Sequence, residues 1–169
     1  MSTDTQAPPT RVAAPEAEFG AENEHLLIRL AGGRYGIAAV DVAEVVRVPA
    51  VAGLPAAPPW LLGIANWRGH VVPVIDLRPV LAVAVAPLPS SARLVVLAVG
   101  DLEVGVLAEA VTGLLGLPLE NAALPETVGA AAAAVVVGLA DGGPAGPIGV
   151  VATAAVVRLA SSLPGRRAV

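Results

Sequence analysis

The chain has 169 residues, no cysteine and a formal net charge of −4. The lack of thiols excludes structural disulfides, thiolate metal sites and thiol nucleophiles, and the acidic balance argues against a nucleic-acid partner, which wants a clustered basic face. More than half of the residues are apolar but only 2% are aromatic, so the core must be built from Val, Leu, Ile and Ala, a composition that suits sheets filled by branched aliphatics.

Residues 1–23 are rich in Pro, Ala, Thr and Glu, with no apolar period and no basic start or apolar run of a signal peptide; they read as a disordered tail. Leu26 to Leu30 is a first strand, Gly32-Gly33 a turn, and Tyr35-Gly36-Ile37 the start of a return strand. In Val40 to Val48, Val42, Val45 and Val46 fall at i, i+3 and i+4, with Asp41, Glu44 and Arg47 opposite. That spacing predicts a short helix with a weak Glu44–Arg47 pair, although the β-branched content leaves a strand open. Ala50 to Pro59 is a Pro/Gly loop, and Pro58-Pro59-Trp60-Leu61-Leu62 suits a short helix leading into Gly63.

The stretch Gly63 to Leu77 organises the chain. It reads as two strands meeting at a tight turn, with Asn66 and Gly69 as flanking residues that tolerate positive φ. Val71, Val72, Val74 and Ile75 favour a pleated surface, and Pro73, lacking a ladder donor, marks an edge or a bulge. Asp76 is placed to cap a short helical end over residues 77–82. Arg68, a long cation at the tip of an apolar hairpin, must reach solvent or find a carboxylate.

Residues 84–92, with Pro87, Pro89, Ser90 and Ser91, form the best internal boundary. Beyond it the pattern restarts: Arg93 to Val99 a strand, Gly100-Asp101 a turn, Leu102 to Leu107 the return, Glu109 to Leu117 a further strand, and 118–129 a long loop. Val135 to Leu139 and Ile148 to Val151 flank a Gly/Pro turn, Thr153 caps a helix over 154–160, and residues 162–169 fray. Thr127 to Val157 is the most hydrophobic region, with Asp141 its only charge, but glycines and prolines break it before about 18 residues. No membrane insertion is expected, and the chain reads as cytoplasmic. Many short strands with Gly/Pro turns, echoed in the two halves, indicate an all-β barrel or sandwich.

Enzyme readings find little support. Ser90, Ser91 and Thr112 lie in no sequence resembling a nucleophile elbow. His70 and Asp76 point to one face of an extended strand but about 20 Å apart, so His70 reads as a lone exposed histidine. The Gly-Gly pairs lack the following Lys and helix of a phosphate loop, and two histidines without clustered carboxylates make no metal site.

From Glu24 to Ser161 the chain resembles the CheW-like family of chemotaxis coupling proteins. The resemblance rests on Tyr35-Gly36-Ile37, Val42…Glu44-Val45, Pro58-Pro59…Leu62-Gly63, and above all Gly63…Asn66-Trp67-Arg68-Gly69…Val72-Pro73-Val74-Ile75-Asp76-Leu77. Val104-Gly105-Val106…Glu109…Val111 matches the family's second hairpin, with Glu where Asp is common. The resemblance implies two five-stranded SH3-like barrels packed together, with a few short helices, in a single domain over 24–161. It implies a non-catalytic adaptor, without cofactor or metal, that couples the cytoplasmic tips of methyl-accepting chemoreceptors to the regulatory domain of a CheA-type histidine kinase in membrane-associated arrays. Carried onto this chain, it pairs Arg68 with Glu44 near partner-binding surfaces, with Val42, Ile64 and Trp67 beside them. Val42 and Ile64 also suit core packing. Trp67 stands where the family usually has an aliphatic residue, and it serves either as a partner anchor or as a cover for the barrel edge. The alternatives are a small β-barrel enzyme or ligand-binding domain, a regulatory fragment of a larger kinase, and a divergent coupler serving a non-flagellar pathway.

Overall fold

The computed structural model describes residues 23–119 and 122–162. The expected tails, apart from their innermost residues Asn23 and Ser162, lie outside the described residues. Strands β1 (Glu24–Leu30), β2 (Gly33–Ala38), β8 (Ala110–Gly116), β9 (Val136–Ala140) and β10 (Ile148–Val151) form one sheet, in the order β8-β1-β2-β10-β9. Strands β3 (Val42–Arg47), β4 (Leu61–Trp67), β5 (His70–Ile75), β6 (Arg93–Val99) and β7 (Leu102–Ala108) form the other, in the order β3-β6-β7-β5-β4. Pairing is antiparallel except for β2 with β10 and β5 with β7. The 84–92 stretch, expected as the internal boundary, joins β5 to β6 within the second sheet, so the sheets do not divide the chain there.

Period-two alternation sorts the apolar side chains into three layers. In β6, Val95 and Leu97 face a core shared by the two sheets, while Leu94 and Val96 face a separate cluster with Ala65, Val74 and Leu107. In β1, Leu26, Ile28 and Leu30 enter the shared core, and Leu27 packs with Leu117, Ala140, Ile148 and Val150. Each sheet thus has its own interior plus one face against the other. This is why runs such as Leu94-Val95-Val96-Leu97 are apolar at every position instead of alternating with polar residues. Helix α2 (Thr153–Ser161) closes the shared core with Val156, Val157 and Ala160.

Several local expectations are overturned. Residues 42–47 are a strand, with only Ala39–Asp41 as a 3-10 turn before it. The branched valines fit a ladder with β6 better than a helix: the cross-strand pairs Val42–Leu97 and Val46–Leu94 half-bury two of them, while Val45 stays exposed. Glu44 and Arg47, three apart on a strand, then face opposite sides, and Glu44 pairs elsewhere. Pro58 to Trp60 form a turn that runs directly into β4, and residues 77–83 are turns, not a helix. Pro73 lies in an interior strand: it pairs with Ile64, the ladder to β7 starts at Val74, and the bulge is across from it in β4, between Leu61 and Gly63. Helix α1 (Ala130–Ala133), a single turn of alanines, was not expected. Thr153 does not cap α2; Ala152 is the N-cap, and the Thr153 hydroxyl donates instead to the Asp41 carboxylate.

Two devices tie the chain together. The first is a bridge in which Ala52 and Ile64 exchange backbone hydrogen bonds of 2.8 and 2.9 Å, joining the segment after β3 to the edge strand β4. Gly63 makes this approach possible: its φ is +149°, and a Cβ there would lie 2.1 Å from the Ala52 carbonyl oxygen. The second is a buried cation. Arg78, 3% exposed, donates to both oxygens of Asp76, to the Ala86 carbonyl at 2.8 Å and to Glu109 at 3.1 Å. Glu109 in turn accepts the Ala31 N–H in the β1–β2 turn. Both hydrogen bonding and its two carboxylate neighbours hold Arg78 firmly charged, against the opposing cost of burial.

Gly63→Ala is expected to destabilise the protein by about 3 kcal/mol, seen as a lower urea midpoint at unchanged m-value. Arg78→Leu should cost roughly 3–5 kcal/mol, because it leaves Asp76 buried without its cation. Adding Asp76→Asn to Arg78→Leu should recover part of that loss in the same titration.

Candidate docking surface at the hairpin tip

Strands β4 and β5 are joined by a two-residue turn, Arg68-Gly69, with Trp67 paired to His70. Both turn residues have positive φ, +51° and +84°, the combination that matches the right-handed twist of the flanking strands. Asn66 contributes differently from the expectation: its side-chain Oδ1 accepts the Gly69 N–H at 3.1 Å, while the positive φ falls on Arg68. The turn thus projects Arg68 outward on a backbone braced from below.

Glu44 reaches this tip because of a bulge. In β3 the register with β6 shifts between Val42 and Glu44, so that Val42 packs on the shared core while Val46 packs in the second sheet's own interior. The extra residue turns the strand between those two faces and aims Glu44 at the β4–β5 hairpin, although β3 and β4 are opposite edges of the sheet order. The Glu44 carboxylate accepts the Arg68 Nε–H at 2.9 Å, an Arg68 Nη2–H at 3.1 Å and the Trp67 indole N–H at 2.7 Å. The Arg68 guanidinium also lies 5.7 Å from the Trp67 ring centroid, in cation–π range. Arg68 is 70% exposed and Glu44 31%. The hydrogen bonds from Arg68, then from Trp67, hold the Glu44 carboxyl below its ordinary value, and Glu44 raises that of Arg68.

The structure brings three of the five expected surface residues together: Glu44, Arg68 and Trp67. Trp67 is half-buried, packs against the cluster of Ala65, Val74, Leu94, Val96 and Leu107, and uses its only polar atom on Glu44. Val42 packs on the shared core, and half-buried Ile64 spends its backbone on Ala52. His70 is not lone: its Nδ1 lies 2.8 Å from a Glu103 oxygen on β7, and its ring meets Trp67 edge-on at 6.2 Å. The strip therefore runs from Glu44 through Arg68, Trp67 and His70 to Glu103. The pairing of His70 with Glu103 left no local sequence signal, because β5 and β7 are not consecutive. Among the described residues no group of three potential ligands is arranged to hold a metal, and no helix is long and apolar enough to cross a membrane.

The stability contribution of the Glu44 contacts follows from the sign of the shift. A lowered carboxyl stabilises the folded state above a glutamate's ordinary 4.5 and loses that contribution as pH falls through the lowered value. Urea midpoints of the natural chain and of Glu44→Gln should therefore differ near neutrality and converge in acid. A gap that stayed constant below pH 4 would deny the carboxylate this role.

The family model of the CheW-like domain matches residues 24–157. Protein FrzA of Myxococcus xanthus is 33% identical over 131 residues, covering 78% of this chain and 81% of FrzA. Protein PilI of Pseudomonas aeruginosa is 32% identical over 91 residues, 53% of this chain and 51% of PilI. The chemotaxis protein CheW of Bacillus subtilis is 29% identical, with 53% of this chain and 57% of that protein covered. The crystal structure of the scaffolding protein TtCheW of Thermoanaerobacter tengcongensis superposes with a TM-score of 0.68 at 24% identity, over 78% of this chain and 89% of the other, a likeness of fold.

Proposed function

From the premise that the chain belongs to the CheW-like domain family, we propose that it is an adaptor joining the cytoplasmic tips of chemoreceptors to the regulatory domain of a CheA-type histidine kinase, with the Glu44–Arg68–Trp67 cluster in one of its docking surfaces. Members of this family are non-catalytic and act by holding receptor and kinase together, so the chemistry required is that of a rigid, complementary surface. The carrying observation is Glu44, whose carboxylate is bound by Arg68 and Trp67 at once. That arrangement fixes a well-exposed guanidinium before any partner arrives, and rigidity of this kind lowers the ordering cost of association. Among the described residues, Nη1 of Arg68 has no partner and is free to meet a carboxylate or carbonyl on another protein. Individually modest contacts suffice in an array, because neighbouring contacts raise the effective concentration of each. Recruitment of the chain to membrane-associated receptor arrays belongs to the same proposal.

Calorimetry against the regulatory domain of the cell's CheA-type kinase, and against a receptor-tip fragment, tests it. Arg68→Ala is expected to weaken at least one of the two complexes by roughly tenfold, about 1.4 kcal/mol. The exchanged pair Glu44→Arg with Arg68→Glu keeps an ion pair but inverts the outward charge, and it should bind as poorly as Arg68→Ala. Full binding by the exchanged protein would reduce the pair to a structural brace. Unchanged binding by both variants would remove this cluster from the docking surface.

A further inference from the structure

A second concave feature lies apart from the hairpin tip and shares no residue with the Glu44–Arg68–Trp67 cluster. It is a cavity of about 720 Å³ lined by Trp60, Pro79, Ala131, Ala134, Leu159 and Arg158, among others. The size falls within the range of small-molecule sites, about 300–1,000 Å³. Its walls come from four separate parts of the chain: the turn before β4, the turn after β5, the α1 region and α2. Trp60 is a fixed wall, since its carbonyl accepts the Asp76 N–H at 2.8 Å and its ring packs on the shared core. Ala131 and Ala134 give only methyl groups where larger side chains would fill the space.

The polarity of the lining is one-sided. Arg158, in the last turn of α2, is among the described residues the only charged one in the lining, and none of them brings a carboxylate to it. Arg158 is exposed, and among the described residues it enters no ion pair. An open apolar groove with a planar, forked cation on its wall is complementary to a molecule with an aliphatic body and one carboxylate. We propose that this cavity is a binding site for an aliphatic carboxylate, with the chain against Trp60 and the α1 alanines and the carboxylate on Arg158.

Trp60 supplies the readout, because Trp67 is the only other tryptophan. In a Trp67→Phe background, dodecanoate titrated below its micelle concentration is expected to change Trp60 emission saturably, at micromolar concentrations. Arg158→Ala, or dodecanol in place of dodecanoate, should weaken binding by about fivefold, the scale of an exposed ionic contact. Ala134→Leu, at an exposed position that should leave the circular dichroism unchanged, should block the site. Absence of a saturable change would overturn the proposal, and so would binding that ignored Ala134→Leu. Equal affinity for dodecanol, or an emission change produced by the kinase domain or the receptor tip but not by dodecanoate, would overturn it as well, the last by giving the cavity to a protein partner.

Discussion

One buried cation joins the two sheets. Arg78 would be costly inside protein if it were alone, but it binds Asp76 at the end of β5, the Ala86 carbonyl in the following loop and Glu109 at the β7–β8 corner. Through Glu109 the network reaches Ala31 in the β1–β2 turn. A charge that can be satisfied only when these segments converge adds a directional constraint on their relative position to the close packing of the aliphatic layers. The apolar layers supply the main driving force, and Arg78 supplies much of the registration.

With the second sheet fixed in this way, the hairpin tip becomes a rigid place for exposed charge. The turn geometry sets the direction of Arg68, the β3 bulge brings Glu44 across to it, and Trp67 bridges the pair to the apolar interior. The cluster is thus anchored from below and open above, the arrangement that the proposed docking role requires. Its surface ion pair adds little to folding stability, and its value lies in orientation.

Much of the fold could be read from residues alone, and the exceptions have physical causes. The hairpins β1–β2, β4–β5 and β6–β7 were legible because glycine turns separate runs of branched aliphatics. Strand β3 is ambiguous in the sequence because Val42, Val45 and Val46 imitate one helical turn while their branching suits a strand, and a bulge, not a helix, accounts for how its faces change. The Glu44–Arg68 pairing came from family resemblance, since no local pattern links residues on opposite sheet edges. The Trp67 indole bond, the His70–Glu103 contact and the Thr153–Asp41 bond were illegible for the same reason: each depends on strands or helices that meet only in the finished topology. Asp76 and Arg78, two residues apart, were visible as charges but not as a buried pair, because burial is decided by what packs over them.

The strand order also orders events in time. All five strands of the second sheet lie in one continuous stretch of chain, from β3 to β7, whereas the first sheet needs its two opening strands to wait for β8, β9 and β10. During synthesis the second sheet can therefore assemble while β1 and β2, packed on it through Leu26, Ile28 and Leu30, still lack the partners of their own sheet. The parallel seam between β2 and β10, among the most distant pairings in the chain, can form only at the end. Until β8, β9 and β10 are made, Leu27 lacks the Leu117, Ala140, Ile148 and Val150 side chains that cover it, and the edge of β2 that β10 will occupy stays unpaired, a hazard of strand-edge association that ends only with the last strand.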